Sequence, residues 1–153
     1  MPDGCACHIA QEGDLGQAYN EEAFRYFLAI ERKRGERSGR PFVLLLVNLK
    51  QESGRSARID PAVAREIFSG LWTSLRETDF IGWYWEDHVA GALLVEFQGG
   101  TWRDVSSMIV QKVNAGIRER LSTTDALRLQ VRAREERFKP PHSAGARLSQ
   151  GDI

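Results

Sequence analysis

Pro41 is followed by an unbroken apolar run, Phe42-Val43-Leu44-Leu45-Leu46-Val47, which constrains the fold more than any other stretch of the chain. It is too short for a typical helix and too continuous for a strand with one face in water. It predicts a central strand buried on both faces. With 153 residues, 42% of them hydrophobic, the chain has apolar material for a single core around such a strand.

The flanking segments predict the partners of that strand. Asn20 is placed to cap a first helix, with Glu21 and Glu22 complementing its dipole and Tyr19 and Phe24 at the two positions of a hydrophobic staple. Tyr19, Ala23, Tyr26, Phe27 and Ile30 mark its expected buried stripe, and Gly35 and Gly39 act as stop signals behind Arg32, Lys33, Arg34 and Arg37. These cations suit a helix C-terminus and also offer a phosphate patch.

After a polar loop over 51–59, Asp60-Pro61 starts a second helix with Val63, Ile67, Phe68, Leu71 and Leu75 inward. Phe80 to Trp85 and Val89 to Phe97 read as an antiparallel hairpin turning at Glu86-Asp87-His88. Alternation puts Trp83 and Trp85 on one face and Tyr84 on the other. A third helix spans about Arg103 to Arg120, burying Val105, Ile109, Val113 and Ile117. A last strand then alternates Leu127, Leu129, Val131 and Ala133 with Arg128, Gln130, Arg132 and Arg134.

Residues 1–18 read as a leader outside the fold, 19–138 as one domain and 139–153 as a tail, because the outer segments lack apolar periodicity. The domain order is helix, then strand-helix-strand-strand-helix-strand. This is an α/β, or α+β sandwich, architecture of ferredoxin-like type, with helices packed on a central four-stranded antiparallel sheet.

Charge and composition exclude several classes. Lys plus Arg equals Asp plus Glu at 21 each, so no global basic field favours nucleic acid. No apolar stretch approaches the roughly 20 residues needed for membrane insertion, and the first residues lack a secretory core, so a cytoplasmic protein is expected. Cys5, Cys7 and His8 offer soft metal ligands, but structural zinc takes two well-spaced pairs, and a metal-free terminus is expected.

The segment from Tyr19 to Phe42 and the stretch Leu75-Arg76-Glu77-Thr78-Asp79-Phe80-Ile81-Gly82-Trp83-Tyr84 resemble the GGDEF domain of diguanylate cyclases. The resemblance spans about residues 19 to 134 and implies the palm-type fold shared with nucleotide cyclases. In active members the first strand ends in an acidic Mg²⁺ ligand and the hairpin Gly-Gly-(Asp/Glu)-Glu-Phe supplies another. Here Asn48 and Lys50 stand where the family has two aspartates, and Trp85-Glu86-Asp87-His88-Val89 stands at the signature, keeping only the acid Asp87. The loss of both glycines and of a metal carboxylate implies no cofactor and no catalytic residue.

The resemblance also implies a retained ligand site. Many diguanylate cyclases bind cyclic di-GMP at an Arg-x-x-Asp site five residues before the signature, and Arg76-Glu77-Thr78-Asp79 has that spacing. Arg76 suits phosphate or the acceptor edge of guanine, and Asp79 suits guanine N–H groups. Equally, Arg76 suits a helix end and Asp79 a turn.

Three readings stand side by side. The first is a catalytically inactive regulatory module of bacterial signalling, acting through a protein partner or as a homodimer. The second is a residual metal-dependent nucleotidyl cyclase or phosphoryl-transfer enzyme using Asp87, Glu86 and His88. The third is a nucleotide-independent interaction domain presenting the aromatic hairpin. His88 reads as a solvated turn residue rather than a general base, because no nucleophile lies beside it in sequence.

Overall fold

The structure is a computed structural model that describes residues 9–11, 18–75, 80–94 and 102–138. Its elements in chain order are β1 (Ile9–Gln11), β2 (Ala18–Tyr19), α1 (Glu21–Ser38), β3 (Phe42–Leu49), α2 (Pro61–Ser74), β4 (Phe80–Trp85), β5 (Val89–Leu94), α3 (Trp102–Arg118), α4 (Thr123–Arg128) and β6 (Leu129–Glu136). The strands form one sheet in the order β1-β2-β4-β5-β3-β6.

The apolar run becomes β3, buried at every position and flanked antiparallel by β5 and β6. Each of its faces needs a cover. Val43, Leu45, Val47 and Leu49 point into a layer closed by α2 and α3, where Ile67, Phe68, Leu71, Val113 and Ile117 are buried. Phe42, Leu44 and Leu46 point the other way, against Phe24 and Leu28 of α1. The architecture is therefore helix, sheet and helix in three layers, an α+β domain.

Caps set the helix boundaries as their side chains dictate. Asn20 accepts from the Ala23 N–H at 2.8 Å, and Asp60 accepts from the Val63 N–H at 3.0 Å with Pro61 in the first turn. Gly39, at φ 77°, ends α1 by donating its N–H to the Gly35 carbonyl. The expected stop at Gly35 does not occur. The Phe138 ring lies against that position, in the space a Cβ would take, so the helix passes through and buries it.

The stripe expected on α1 is also rotated. Tyr26 is 55% exposed, whereas Phe24 and Leu28 are buried with Ala23, because Phe24 and Leu28 are the side chains that pack in one layer with Phe42, Leu44 and Leu46 of β3. At the sheet's other end, Leu127 and Arg128 lie in α4 rather than in the last strand. Ser122 accepts from the Asp125 N–H at 3.1 Å, and this cap nucleates a short helix that leaves Leu127 75% exposed.

The four expected strands are antiparallel and neighbour one another as β4-β5-β3-β6. Two further strands precede α1, β1 and Ala18 of β2 coming from the segment expected outside the fold and Tyr19 from the first position of the expected domain, so the sheet is six-stranded and mixed rather than four-stranded. Tyr19 of β2 pairs in parallel with Gly82 of β4, and Ala18 is fully buried. Gly82 permits this approach, since a Cβ there would stand 2.5 Å from the Tyr19 carbonyl oxygen. Strands of two and three residues leave no periodicity to read. The tail over 139–153 lies outside the described residues.

Candidate functional site

The ends of β3 and of the β4–β5 hairpin meet at one edge of the domain. Val47 pairs with Ala90, which places Asn48 at the end of that ladder, beside the start of β5. The hairpin turns over Trp85 to His88, closed by the His88 N–H donating to the Trp85 carbonyl at 2.9 Å. Asp87 takes φ 64° in this turn, the left-handed region that Asp tolerates better than most side chains. A register irregularity between Trp83 and Trp85 separates the two rings. Trp83 is buried edge-on against Phe68, while Trp85 is 46% exposed and stacks on the His88 ring at 4.1 Å.

The turn is bound to its surroundings by its own side chains and backbone. Glu86 Oε1 accepts from the Glu21 N–H at 2.9 Å, and Glu21 Oε1 accepts from the Glu86 N–H at 2.7 Å. These reciprocal bonds fasten the turn to the N-terminus of α1, where free amides and the helix dipole favour a carboxylate. Arg25 completes the clasp. Its Nε lies 3.2 Å from Glu21 Oε2 and donates to the Tyr84 carbonyl at 3.0 Å, with the guanidinium 4.5 Å above the Tyr84 ring.

Asp87 is held from the opposite side. Its carbonyl accepts from the Ile59 N–H at 2.7 Å, and its Oδ2 lies 3.5 Å from Arg58 Nη2. The loop after β3 is thus folded onto the hairpin. Lys50 is exposed at its start, and Arg128 Nε donates to the Lys50 carbonyl at 3.2 Å. His88 Nδ1 lies 2.9 Å from the Glu86 carbonyl, an arrangement that orients the ring within the turn.

Asn48 stands at the position that the family resemblance assigns to a metal ligand. It is 2% exposed, opposite Gln130 of β6, and its Oδ1 has no hydrogen-bond partner among the described residues. Mg²⁺ takes hard oxygen ligands with carboxylate charge among them. A neutral amide, a single carboxylate with Arg58 beside it and the lysine two residues after Asn48 do not make that donor set. Among the described residues, these groups do not supply the charged oxygen donors that a divalent metal takes. Among the described residues no group of three or more His, Cys, Asp or Glu side chains converges as a metal site.

Of the residues singled out in the sequence, Asn48, Trp85, Glu86, Asp87, His88 and Val89 fall in this region, with Val89 buried in the α1-side core. Arg76 and Asp79 lie outside the described residues, as do Cys5, Cys7 and His8. Glu21, Arg25 and Arg58 were not legible as parts of the site. Glu21 and Glu86 are 65 positions apart, and nothing local in the sequence pairs them.

A scan against known protein families finds no match for this chain. No curated protein matches it either. Solved structures do match, GGDEF proteins among them. The diguanylate cyclase SiaD of Pseudomonas aeruginosa, in complex with its activator SiaC, aligns at TM-score 0.57 and 18% identity over 94% of this chain. This chain spans 56% of the SiaD chain.

The GGDEF domain of DgcB from Caulobacter crescentus, in complex with c-di-GMP, aligns at TM-score 0.56 and 15% identity, covering 95% of this chain and 89% of that one. The FimX GGDEF domain from Pseudomonas aeruginosa aligns at TM-score 0.60 and 10% identity, covering 90% and 88%. At these identities the likenesses show an architecture, an α+β domain with helices packed on a sheet. Within it, this chain has a GGDEF-like fold. Among the described residues no helix is long and apolar enough to cross a membrane.

Proposed function

We propose that this chain is a non-catalytic GGDEF-like regulatory module that binds cyclic di-GMP through Arg76 and Asp79 and acts through a protein partner. The observation that carries the first part is the state of the turn at the signature position. Glu86 stands where the family has a glycine, and its carboxylate is bonded to the first turn of α1. Nucleotide approach to that backbone would require breaking the clasp, and a carboxylate there repels a triphosphate. Asp87, the acid that the signature retains, has Arg58 as its counter-ion.

The ligand part rests on the register of Arg76-Glu77-Thr78-Asp79 against Trp85, supported by the presence of c-di-GMP in the DgcB complex. The partner part is supported by the SiaD–SiaC complex, in which a domain of this fold is part of a protein bound to an activator. The exposed Trp85–His88 stack favours a second reading, an interaction domain that takes no nucleotide, because a flat aromatic surface outside the core suits a protein interface.

Calorimetric titration separates these readings. Saturable cyclic di-GMP binding, lost in Arg76→Ala and in Asp79→Ala with folding intact, is expected for the receptor. GTP with Mg²⁺ should give no binding heat. Tight Mg²⁺-dependent GTP binding would overturn the non-catalytic reading, and silence toward both nucleotides would leave the interaction domain.

A further inference from the structure

The two edges of the sheet differ in a way that bears on partners. One edge is β1, three residues long with a register irregularity against β2. The other is β6, eight residues long and paired with β3 from end to end without irregularity. Among the described residues β6 has no neighbour on its outer side. An antiparallel edge of this kind presents a row of unpaired N–H and C=O groups, a ready template for another strand.

The side chains along this edge carry a definite chemistry. Gln130, Arg132, Arg134 and Glu136 stand opposite Asn48, Leu46, Leu44 and Phe42, which puts them on the α1 face. Arg132 and Arg134 are exposed. Arg132 meets no carboxylate among the described residues, and Arg134 lies 3.2 Å from Glu136 of its own strand. At the start of β6, α3 and α4 enclose an open groove of about 760 Å³ whose lining includes Val110, Leu121, Ala126 and the exposed Leu127.

We propose that the outer edge of β6 is the docking site for an extended acidic segment of a partner protein, which adds to the sheet as a further strand. Carboxylates at alternate positions of that segment face Arg132 and Arg134, and an apolar side chain at its end enters the groove between α3 and α4. The geometry matches alternation. Same-face side chains along a strand recur about every 6.6–6.8 Å, and cross-strand partners stand about 5 Å apart. Like charges set opposite one another are destabilising, so Arg132 and Arg134 disfavour a basic segment. The proposal rests on the fold and on these side chains, not on the nucleotide reading.

The test uses the full chain and an end-blocked peptide that alternates Glu and Val and ends in Leu, followed by fluorescence anisotropy and amide hydrogen exchange. Saturable binding is expected, with exchange slowed over residues 129–136. Combining Arg132→Glu with Arg134→Glu should weaken binding about tenfold or more and transfer preference to the matching Lys–Val peptide. Leu127→Asp should weaken it several-fold, each variant being checked for an unchanged circular dichroism spectrum.

No saturation at millimolar peptide, equal affinity in the doubly reversed variant, or binding without slowed exchange in β6 would each overturn the proposal. So would an oligo-deoxythymidine of equal charge that competes as well as the peptide, which would make the row a general anion patch. Loss of cyclic di-GMP binding in Arg76→Ala leaves this outcome untouched.

Discussion

Phe68 and Glu86 mark two ways in which this sheet is covered. On the α2 and α3 side, Phe68 belongs to a continuous apolar layer that takes residues from β3, β4 and β5. On the α1 side the apolar layer is smaller, running from Phe42 to Val89, and at the hairpin end it gives way to hydrogen bonds among Glu21, Arg25, Tyr84 and Glu86. Burial of an aromatic ring is cooperative with every neighbour it touches. A polar clasp is a sum of a few bonds, each with a net worth of about 1 kcal/mol, and water competes for its groups. The first face is thus built for stability, and the second leaves its hairpin end adjustable.

The largest expected effect breaks the apolar side. Phe68→Ala should cost about 3–5 kcal/mol in urea unfolding, since the ring is fully buried and packs against Trp72 and Trp83. A loss below 1 kcal/mol would mean, against this account, that the layer collapses freely around the gap.

The next effect concerns β2, which joins β1 to the rest of the sheet. Gly82→Val forces a side chain against the Tyr19 backbone and should destabilise by about 1–3 kcal/mol. Hydrogen exchange at Ala18 and Tyr19 should quicken first. If instead the whole sheet loosens together, β2 is part of the main cooperative unit rather than an appended pair with β1.

A third substitution should act with the opposite sign. Asn48→Leu replaces a buried acceptor that has no partner among the described residues, relieving about 1 kcal/mol of desolvation cost and raising the denaturation midpoint. A lowered midpoint would show that the amide is satisfied in solution, by water or by a ligand, and would sharpen the contrast between the two faces.

The smallest effect is expected at Arg58. It is 70% exposed, and its contact with Asp87 is 3.5 Å, so Arg58→Ala should change stability by less than about 0.5 kcal/mol. The informative readout is Mg²⁺-dependent GTP binding by this variant. None is expected, because Asn48 still supplies no charge; its appearance would make Arg58 the group that silences the site.

Much of the fold was legible where local and global demands agree. The Phe42 to Val47 run reads as a central strand because such a run can be satisfied only by burial on both faces, and Asp60-Pro61 reads as a helix start because the cap is made within one turn. Tyr26 and Leu127 were misplaced for one shared reason. Their spacing fits an apolar stripe, but which stripe is buried depends on how α1 crosses the sheet and on where α4 ends, neither of which is a local property.

The candidate site divides along the same line. The identities of Asn48, Trp85 and Glu86 are visible in the chain as written. That Glu86 clasps Glu21, that Arg58 faces Asp87 and that β6 stands at an open edge are matters of position. By itself, the sequence determined the elements with short-range causes: the buried strand, the capped helices, the hairpin and the chemistry available at its turn. Only the tertiary structure decided which distant groups meet, because hydrogen bonds and ion pairs act over a few ångströms while the residues that make them are separated by most of the chain.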